Sequence, residues 1–315
     1  MSNRKLISVV TPCFNEEENV QDCYEAIKSL FETKLKDYDY EHIFCDNASV
    51  DKTVEELERI AAQDSRVKVI VNANNFGFLR SMFNGVISSG GDAVIPMMPA
   101  DLQDPPELIP TFIEYWEKGY KVVYGQRDKR DESFLIENAR KLYYKFVNRF
   151  SKAKIPLDAG EFQLIDRKVV EALKLFDDYE PYLRGLIAQC GFKSIGVKYF
   201  MKAREKGEAK GRLGLLFDLA LNGIVSSTTV PIRVGLIFGF LMSLLSLGYA
   251  AFLVVLFFVN GRSHVNPGMA SLMIGLFLLS GIQLFFIALV GEYVASIHNQ
   301  VRKGPLVVED RRINF

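Results

Sequence analysis

The sequence of 315 residues lacks the motifs of several common nucleotide-binding and catalytic sites. No Gly-x-Gly-x-x-Gly follows the first apolar run, which argues against a dinucleotide-dependent dehydrogenase, and no Gly-x-x-x-x-Gly-Lys-Ser/Thr of a P-loop is present. His42, His264 and His298 are scattered, so we expect neither a histidine-based metal site nor a catalytic triad. Any chemistry must therefore rest on carboxylates, amides and basic residues, with or without a metal ion.

An excess of charge of either sign is also missing. Lysine and arginine together number 38, aspartate and glutamate also 38, and this balance argues against a general nucleic-acid-binding protein. The four cysteines show no paired spacing, which favours a reduced setting over a disulfide framework or a zinc site. The first residues contain no long apolar stretch, so we predict no cleavable signal peptide.

Two long apolar runs near the end of the chain carry no charge: Val234–Val259 and Val265–Gly291. About 20 helical residues cross a bilayer core, so we interpret both runs as membrane spans; two buried core helices are the alternative. The short loop Asn260–Asn266 makes them a hairpin and contains one basic residue, Arg262. Many basic residues precede and follow the hairpin, which predicts a soluble domain on the cytoplasmic side of the membrane. We expect an integral membrane protein, with the bacterial inner or plasma membrane as its location.

The first two-thirds of the chain alternates short apolar runs with amphipathic segments, which predicts an α/β fold with a mostly parallel sheet and helices on both faces. The expected strands are Leu6–Thr11, His42–Cys45, Val67–Val71, Ala93–Met98 and Lys121–Tyr124. The expected helices are Glu16–Phe31, Thr53–Gln63, Phe78–Ser88 and one that begins at Pro105-Pro106. Sheets of this kind bind ligands at the carboxyl ends of their strands, so the polar clusters after each strand are candidate site residues.

The sequence predicts four regions: a catalytic domain over residues 1–210, a juxtamembrane region over 211–230, the hairpin over 231–298 and a cytoplasmic tail over 299–315. We place the two spans at about 234–259 and 268–291. In the juxtamembrane region, Leu213–Ser226 has leucines at helical spacing, and we interpret it as a helix at the bilayer surface; a helix packed on the soluble domain is the alternative. The tail offers no pattern that predicts structure. Glycine and serine in the spans permit close helix contact, so we expect a homo-oligomer.

A candidate metal site follows the fourth expected strand. Asp101 has a side-chain carbonyl two residues later, on Gln103, and such oxygens can hold a divalent cation together with substrate phosphates. A cation there would neutralise a departing nucleoside diphosphate. Because Asp101 precedes Pro105-Pro106, ordinary turn and capping chemistry is the alternative interpretation.

Several segments arrive in an order that resembles the family 2 glycosyltransferases of the GT-A fold. Within that family the chain is similar to the polyisoprenyl-phosphate glycosyltransferases, which include dolichol-phosphate mannose synthases and bacterial undecaprenyl-phosphate sugar transferases. The resemblance covers nearly the whole chain, including the terminal hairpin. The segments that carry it are Thr11–Glu18, Asp46–Thr53, Asn75–Gly77, Ala100–Glu107, Ile155–Val170 and Tyr182–Leu186.

The resemblance implies roles for individual positions. The nucleotide-sugar would contact Pro12, Phe14, Glu16, Asp46, Asn47, Ala100 and Asp101, with Asp46 or Asn47 reading the base. Asp101 and Gln103 would hold Mg²⁺ or Mn²⁺, and Asp158 would lie near the acceptor phosphate and the reacting sugar carbon as a second catalytic residue. The lipid phosphate would be bound by Arg127, Arg140, Lys141, Arg204 and Lys210, with Lys206 in the same basic segment. Guanidinium groups suit bidentate phosphate contacts.

The chain departs from the family pattern at several positions. The usual Asp-Ala-Asp is Pro99-Ala100-Asp101, and the usual Asp-Asp-Gly-Ser is Asp46-Asn47-Ala48-Ser49. Glu161 stands where the family commonly has Asp, and Ala209 and Gly211 replace a hydroxyl and an aromatic residue. Pro99 removes an acid near the reacting groups, and Asn47 replaces a carboxylate that commonly meets the base.

The sequence therefore predicts an inverting glycosyltransferase that moves a sugar, with a UDP-hexose as the expected donor, onto a polyisoprenyl phosphate such as undecaprenyl phosphate at the cytoplasmic membrane face. A catalytically weakened or non-catalytic nucleotide-sugar-binding membrane scaffold is the alternative, and Pro99 is its best argument. A processive polysaccharide synthase is disfavoured, because its Gln-x-x-Arg-Trp motif is missing. A channel is disfavoured because neither span has a charged residue in its core.

Overall fold

The computed structural model describes residues 4–127, 159–179, 181–200, 269–302 and 304–315, with isolated residues between 235 and 255. Its strands are β1 (Leu6–Cys13), β2 (Asp39–Asp46), β3 (Val67–Asn72), β4 (Ala93–Ile95), β5 (Val122–Arg127), β6 (Ala159–Asp166), β7 (Ser194–Tyr199) and β8 (Glu309–Ile313). Its helices are α1 (Val20–Thr33), α2 (Thr53–Gln63), α3 (Phe78–Ser88), α4 (Ile109–Glu117), α5 (Arg167–Leu173), α6 (Leu183–Gln189) and α7 (Met269–Val301). A 3-10 turn, Pro106–Leu108, leads into α4.

The described strands form one sheet in the order β7-β5-β6-β4-β1-β2-β3-β8. The pairs β1–β2, β1–β4, β2–β3 and β5–β7 are parallel, whereas β4–β6, β5–β6 and β3–β8 are antiparallel. The prediction of a mostly parallel sheet is confirmed. The antiparallel strand β6, which lies between β4 and β5, has no counterpart among the expected strands.

Both faces of the sheet are covered by helices. Successive side chains of the central strands point to opposite faces, and they are apolar on both. Val9 and Phe44 face a core shared with α1, α2 and α4, whereas Val10 and Ile43 face a second core with α3, α5 and α6. All four side chains are fully buried. The expected layers of helix, sheet and helix are therefore present.

Two predicted elements have different bounds in the structure, each for a local reason. The helix expected from Glu16 begins at Val20, because the amide of Glu16 donates to Thr53 Oγ1 at 2.8 Å and residues 16–19 form a turn. The strand expected to reach Met98 ends at Ile95, because Pro96 has no amide proton to donate to a neighbouring strand.

The chain divides into two compact units: Met1–Leu216 with Lys303–Phe315, and Phe217–Arg302. The last segment thus returns to the first unit, where β8 pairs antiparallel with β3. In the second unit, α7 is the one helix of the described residues that is long and apolar enough to cross a membrane, within Leu279–His298. Leu213–Ser226 lies outside the described residues.

Candidate active site

Strained backbone marks the carboxyl ends of the central strands. Asn15, Ala48 and Leu102 have φ of 54°, 61° and 54°, in the left-handed region that non-glycine residues rarely adopt, and they follow β1, β2 and β4 respectively. Gly77, after β3, has φ of 85°. Strain of this kind persists where neighbouring contacts fix the backbone, and it clusters at binding sites. The same edge was predicted from the sequence to bind ligand.

The loops after β1 and β2 are joined by hydrogen bonds between side chains and backbone. The amide of Asn15 donates to Ser49 Oγ at 2.9 Å, and the amide of Val50 donates to Asn15 Oδ1 at 2.9 Å. The amide of Lys52 donates to Glu17 Oε2 at 2.9 Å. These bonds satisfy polar backbone groups that the sharp turns leave outside the sheet. Pro12, Phe14 and Glu16 lie on this fixed first loop or at its start.

Asp46, one of the two expected base-reading residues, is fully buried at the end of β2. Its carboxylate accepts the Ser49 amide at 3.0 Å and also the Ser49 hydroxyl. Burial raises the pKa of the Asp46 carboxyl, and the hydrogen bonds from Ser49 act in the opposite direction. Asp46 therefore holds the turn that carries Ala48, whatever else it contacts.

Asn47, the other expected base-reading residue, is 4% exposed and holds the loop that follows β3. Its Nδ2 donates to Asn75 Oδ1 at 2.7 Å. Its Oδ1 accepts the Phe76 amide at 3.0 Å and Asn72 Nδ2 at 3.2 Å. An aspartate could not donate to Asn75, so the amide at this position suits the loop it supports. Asn72 was not among the site residues predicted from the sequence, where its place at the end of a buried strand was the one available signal.

Asp101 lies half-buried on the turn after β4, where its Oδ1 accepts the Gln103 amide at 3.3 Å. Ala100 is buried, and the carbonyl of Pro99 accepts the Leu102 amide at 3.1 Å. Among the described residues no group of three His, Cys, Asp or Glu side chains could hold a metal ion. A carboxylate and an amide oxygen suit a cation that takes its remaining ligands from phosphates and water, as Mg²⁺ commonly does.

Asp104 connects this turn to the other half of the sheet, a role that was not predicted from the sequence. The side chain is 4% exposed and accepts a hydrogen bond from the hydroxyl of Tyr199, the last residue of β7. Tyr199 is the register partner of Arg127, the last residue of β5. The carboxyl ends of β4, β5 and β7 thus lie at the same edge of the sheet, and Arg127 at the end of β5 is linked to the turn after β4 through Tyr199.

Two segments that are far apart in the sequence meet beside β6. Arg184 on α6 lies 3.6 Å from Glu161 Oε1, measured from its Nε, and that Nε donates to the Tyr182 hydroxyl at 2.9 Å. Glu161 thus has an arginine partner at the position where the family commonly has the shorter Asp. Nε2 of Gln163, two residues along β6, is buried and finds no hydrogen-bond partner in the described part of the chain.

The sequence model described as Glycosyl transferase family 2 matches residues 8–174, from β1 to the end of α5. The chain belongs to this family.

Relatives of this family 2 glycosyltransferase match far beyond that region. The SfII prophage-derived bactoprenol glucosyl transferase of Shigella flexneri is 34% identical over 302 residues, which cover 95% of this chain and 96% of the relative. An uncharacterized glycosyltransferase of Synechocystis is 35% identical over 95% of this chain and 93% of its own length. The prophage bactoprenol glucosyl transferase homolog of Escherichia coli K12 is 32% identical over 97% of this chain and 98% of its own length.

A solved structure shows the same fold at lower identity. Glucosyl-3-phosphoglycerate synthase from Mycobacterium tuberculosis, in complex with Mn²⁺, UDP and phosphoglyceric acid, has a TM-score of 0.51 and 20% identity. The match covers 70% of this chain and 76% of the synthase. The GT-A-like fold of this family 2 glycosyltransferase is therefore shown.

The predicted site of this family 2 glycosyltransferase is described in part. The structure brings the turns of Pro12 to Glu16, of Asp46 and Asn47, and of Asp101 to one edge of the sheet. Most residues expected near the reacting sugar and the lipid phosphate lie outside the described residues: Asp158, Arg140, Lys141, Arg204, Lys206 and Lys210. The residue roles implied by the resemblance therefore stay predictions.

Proposed function

We propose that this family 2 glycosyltransferase transfers a sugar from a nucleoside diphosphate sugar to a polyisoprenyl phosphate at a membrane surface. One observation carries the choice of acceptor. The family model ends at residue 174, yet the similarity to proteins named bactoprenol glucosyl transferase extends over 95% of the chain. That length includes the apolar segment and the tail, which a transferase with a soluble acceptor would not need.

The donor side of the proposal rests on the edge formed by β1, β2 and β4. Pro12, Phe14, Glu16 and Ala100 line the pocket for the nucleotide, and the fixed turn of Asp46 and Asn47 bounds it. Asp101 and Gln103 would hold Mg²⁺ or Mn²⁺ there. The complex of the Mycobacterium tuberculosis synthase with Mn²⁺ and UDP supports this choice of ion and suggests a UDP-linked hexose as donor.

The reaction we propose is a single in-line displacement with inversion. An oxygen of the lipid phosphate forms a bond to the anomeric carbon, the bond from that carbon to the nucleoside diphosphate breaks, and the electron pair leaves with the diphosphate. A bound divalent cation supplies neutralisation of the charge on that leaving group. A phosphate monoester, with a second pKa of about 6, is already mostly dianionic at neutral pH and needs little help from a base. Asp158 therefore orients the acceptor or stabilises positive charge on the sugar.

The acceptor side of the proposal uses cationic side chains to bring two anionic substrates together. Arg127, at the end of β5, begins this set, with Arg140, Lys141, Arg204 and Lys210 as its further members. Guanidinium groups make bidentate contacts to phosphate, and basic residues near a bilayer also attract anionic lipid headgroups.

The membrane arrangement we propose is the hairpin expected from the sequence. Apolar side chains around α7 are exposed, among them Leu276, Leu284 and Ile287, as expected of a helix surrounded by lipid. Described residues between 235 and 255 are helical, and the ring of Phe238 lies 6.1 Å from that of Phe286 on α7. These observations favour two helices in contact. The basic residues that flank the apolar segment in the sequence favour the cytoplasmic side for the catalytic domain.

The test is an assay of the full-length protein in detergent, with labelled nucleotide-sugars, undecaprenyl phosphate and Mg²⁺ or Mn²⁺. We expect transfer that depends on the cation and is lost in Asp101→Ala, because Asp101 is the proposed cation ligand. Glu114→Gln is the control, since Glu114 is an exposed residue of α4 paired with Lys118. Full activity of Asp101→Ala would refute the metal assignment.

The same assay separates the enzyme from a non-catalytic scaffold, which Pro99 favours. A scaffold would bind UDP with Mn²⁺ yet transfer no sugar from any donor in the screen. For the enzyme, we expect Asp158→Asn to lower kcat more than it raises the KM for the donor. An unchanged kcat in Asp158→Asn would remove that residue from the site.

A further inference from the structure

The last strand of the chain, β8, lies at the edge of the sheet next to β3, and its register decides where its charges point. Ile70 pairs with Arg312, and after a register shift Asn72 pairs with Glu309. Residues three positions apart on a regular strand point to opposite faces. The register shift instead puts both Glu309 and Arg312 on the face of the sheet that α3 covers. Arg311 points to the other face, where it pairs with Glu58 of α2 at 2.7 Å.

Glu309 binds α3 through the buried side-chain amide of Asn84. Nδ2 of Asn84, which is 8% exposed, donates to Glu309 Oε1 at 2.6 Å. Arg312 holds the same carboxylate, with its Nε 2.5 Å from Oε2, and also donates to Ser88 Oγ at 3.1 Å. The hydrogen bonds from Arg312 and Asn84 lower the pKa of Glu309, so the carboxylate is charged at neutral pH.

The other side of α3 is fixed by close packing on the sheet. A Cβ at Gly85 would lie 2.5 Å from Cys45 Sγ and 2.6 Å from Val10 Cγ1, so the helix approaches the strands at this point as glycine alone allows. Glu309 therefore binds α3 at the edge of the sheet, and Gly85 allows the close distance between α3 and the strands. The tail takes part in placing α3, whose first turn follows the loop of Asn75 and Gly77.

A continuous series of hydrogen bonds runs from the tail to that loop. The amide of Ala73 donates to the Val308 carbonyl at 2.8 Å, which extends the pairing of β3 with the tail by one residue. Asn72 donates to Ser81 Oγ of α3 at 3.1 Å and to Asn47 Oδ1 at 3.2 Å. Asn47 in turn binds Asn75 and the Phe76 amide, as described above.

We infer that the C-terminal strand is part of the support of the donor site, and that Glu309 is a positioning residue for nucleotide binding. It acts through Asn84 and α3, and through the end of β3, on the loop of residues 73–77. The inference rests on the proposed function for the identity of the ligand. Nothing in the transfer chemistry requires Glu309 to touch the nucleotide.

The experiment measures the Kd of UDP with Mn²⁺ for the full-length protein in detergent. Because coupling through such a series is worth about 0.5–2 kcal/mol, we expect Glu309→Ala to raise that Kd by about twofold to thirtyfold. At saturating donor, kcat should stay the same. Arg311→Ala is the matched control, since it also removes a paired charge from β8, on the α2 face. Glu309→Gln keeps an oxygen that accepts from Asn84 and should restore most of the affinity.

Hydrogen exchange of the protein without nucleotide provides the second readout. The amides of residues 73–77 should exchange faster in Glu309→Ala and in Asn84→Ala than in Arg311→Ala, and the effects of the first two should not add. Equal UDP affinity and equal exchange in Glu309→Ala and the unaltered protein would overturn this inference alone. Failure of the unaltered protein to bind UDP or any other nucleotide would overturn the proposed function as well.

Discussion

Ala48 occupies the left-handed region of backbone conformation, with φ of 61°, on the turn after β2. An L-residue with a Cβ pays roughly 1–2 kcal/mol for this conformation, whereas glycine adopts it freely. The bonds of Asp46 to Ser49 hold the turn in place, and the family pattern has Gly at this position.

We predict that Ala48→Gly stabilises the protein by about 0.5–1 kcal/mol, since the relief of strain exceeds the extra entropy of the unfolded chain. Urea unfolding followed by the fluorescence of Trp116 measures it, because this single tryptophan is buried in the catalytic domain. Ala61→Gly, in the interior of α2, is the control and should destabilise the protein by about 1 kcal/mol. Lower stability of Ala48→Gly would contradict the strain argument.

His42 gives the catalytic domain a defined sensitivity to acid. It is fully buried in β2, where its Nε2 lies 2.9 Å from Thr11 Oγ1. Burial lowers the pKa of His42 from 6.5 to about 3. Below pH 6.5 the unfolded chain binds a proton that the folded chain excludes, so stability falls as the pH decreases from 6.5 toward 3.

We predict that this one group costs about 2 kcal/mol of stability between pH 7.5 and pH 5.0. The free energy of unfolding should therefore fall less over this interval in His42→Gln than in the unaltered protein, whatever their difference at pH 7.5. His298→Gln, a change at an exposed position of α7, should keep the original pH dependence. Identical pH dependence in all three proteins would show that His42 is not the group responsible.

At the scale of elements, Asp166 joins three parts of the fold at the end of β6. Its side chain accepts the Lys168 amide and caps α5. Its Oδ2 also accepts Trp116 Nε1 of α4 at 2.7 Å and Lys121 Nζ at 2.8 Å. A single carboxylate therefore fixes two helices and the start of β5.

We predict that Asp166→Ala destabilises the domain by about 2–4 kcal/mol, because it removes a helix cap and leaves the buried Trp116 donor without an acceptor. Thermal unfolding followed by circular dichroism measures the loss, since the change also alters the surroundings of Trp116. Asp37→Ala, at an exposed loop position, should be nearly neutral. A loss no greater than that of Asp37→Ala would mean that the three bonds contribute little.

The elements that the sequence predicts well are those whose signal is local. The bounds of α2 and α3 agree with the prediction because a polar turn and an apolar period define each helix. β8 could not be found in this way, since Glu309–Ile313 contains four charged residues in a row and one apolar residue. Its stability comes from pairing with β3 and from partners far away in the sequence, such as Glu58 and Asn84.

In the candidate site, too, local features could be predicted from the sequence and contacts between distant segments could not. Motifs after β1, β2 and β4 predicted that their residues lie together at one edge of the sheet, and the structure places the three turns at that edge, because each motif directly follows its strand in the chain. The hydrogen bonds of Asn72 to Asn47, and of Tyr199 to Asp104, join loops that only the fold brings together. No spacing in the sequence could have predicted them.

At the scale of the whole molecule, the return of the chain to the catalytic domain limits how the apolar segment can cross a membrane. β7 and β8 belong to one sheet, and residues 217–302 lie between them in the chain. Since a sheet lies on one side of a bilayer, this segment must cross an even number of times. One crossing by α7 therefore requires a second crossing before it, as in the proposed hairpin.

We predict that the loop between the spans and the C-terminal strand lie on opposite sides of the membrane. In a Cys190→Ser background, Ser263→Cys should react in intact cells with a maleimide that does not cross membranes. Asp310→Cys, at an exposed position of β8, should react after the membrane is permeabilised and not before. The three remaining cysteines are buried, and burial raises the pKa of Cys23 to about 12, so they contribute little background. Reaction of both positions from outside would contradict a cytoplasmic catalytic domain, and reaction of neither in intact cells would contradict the hairpin.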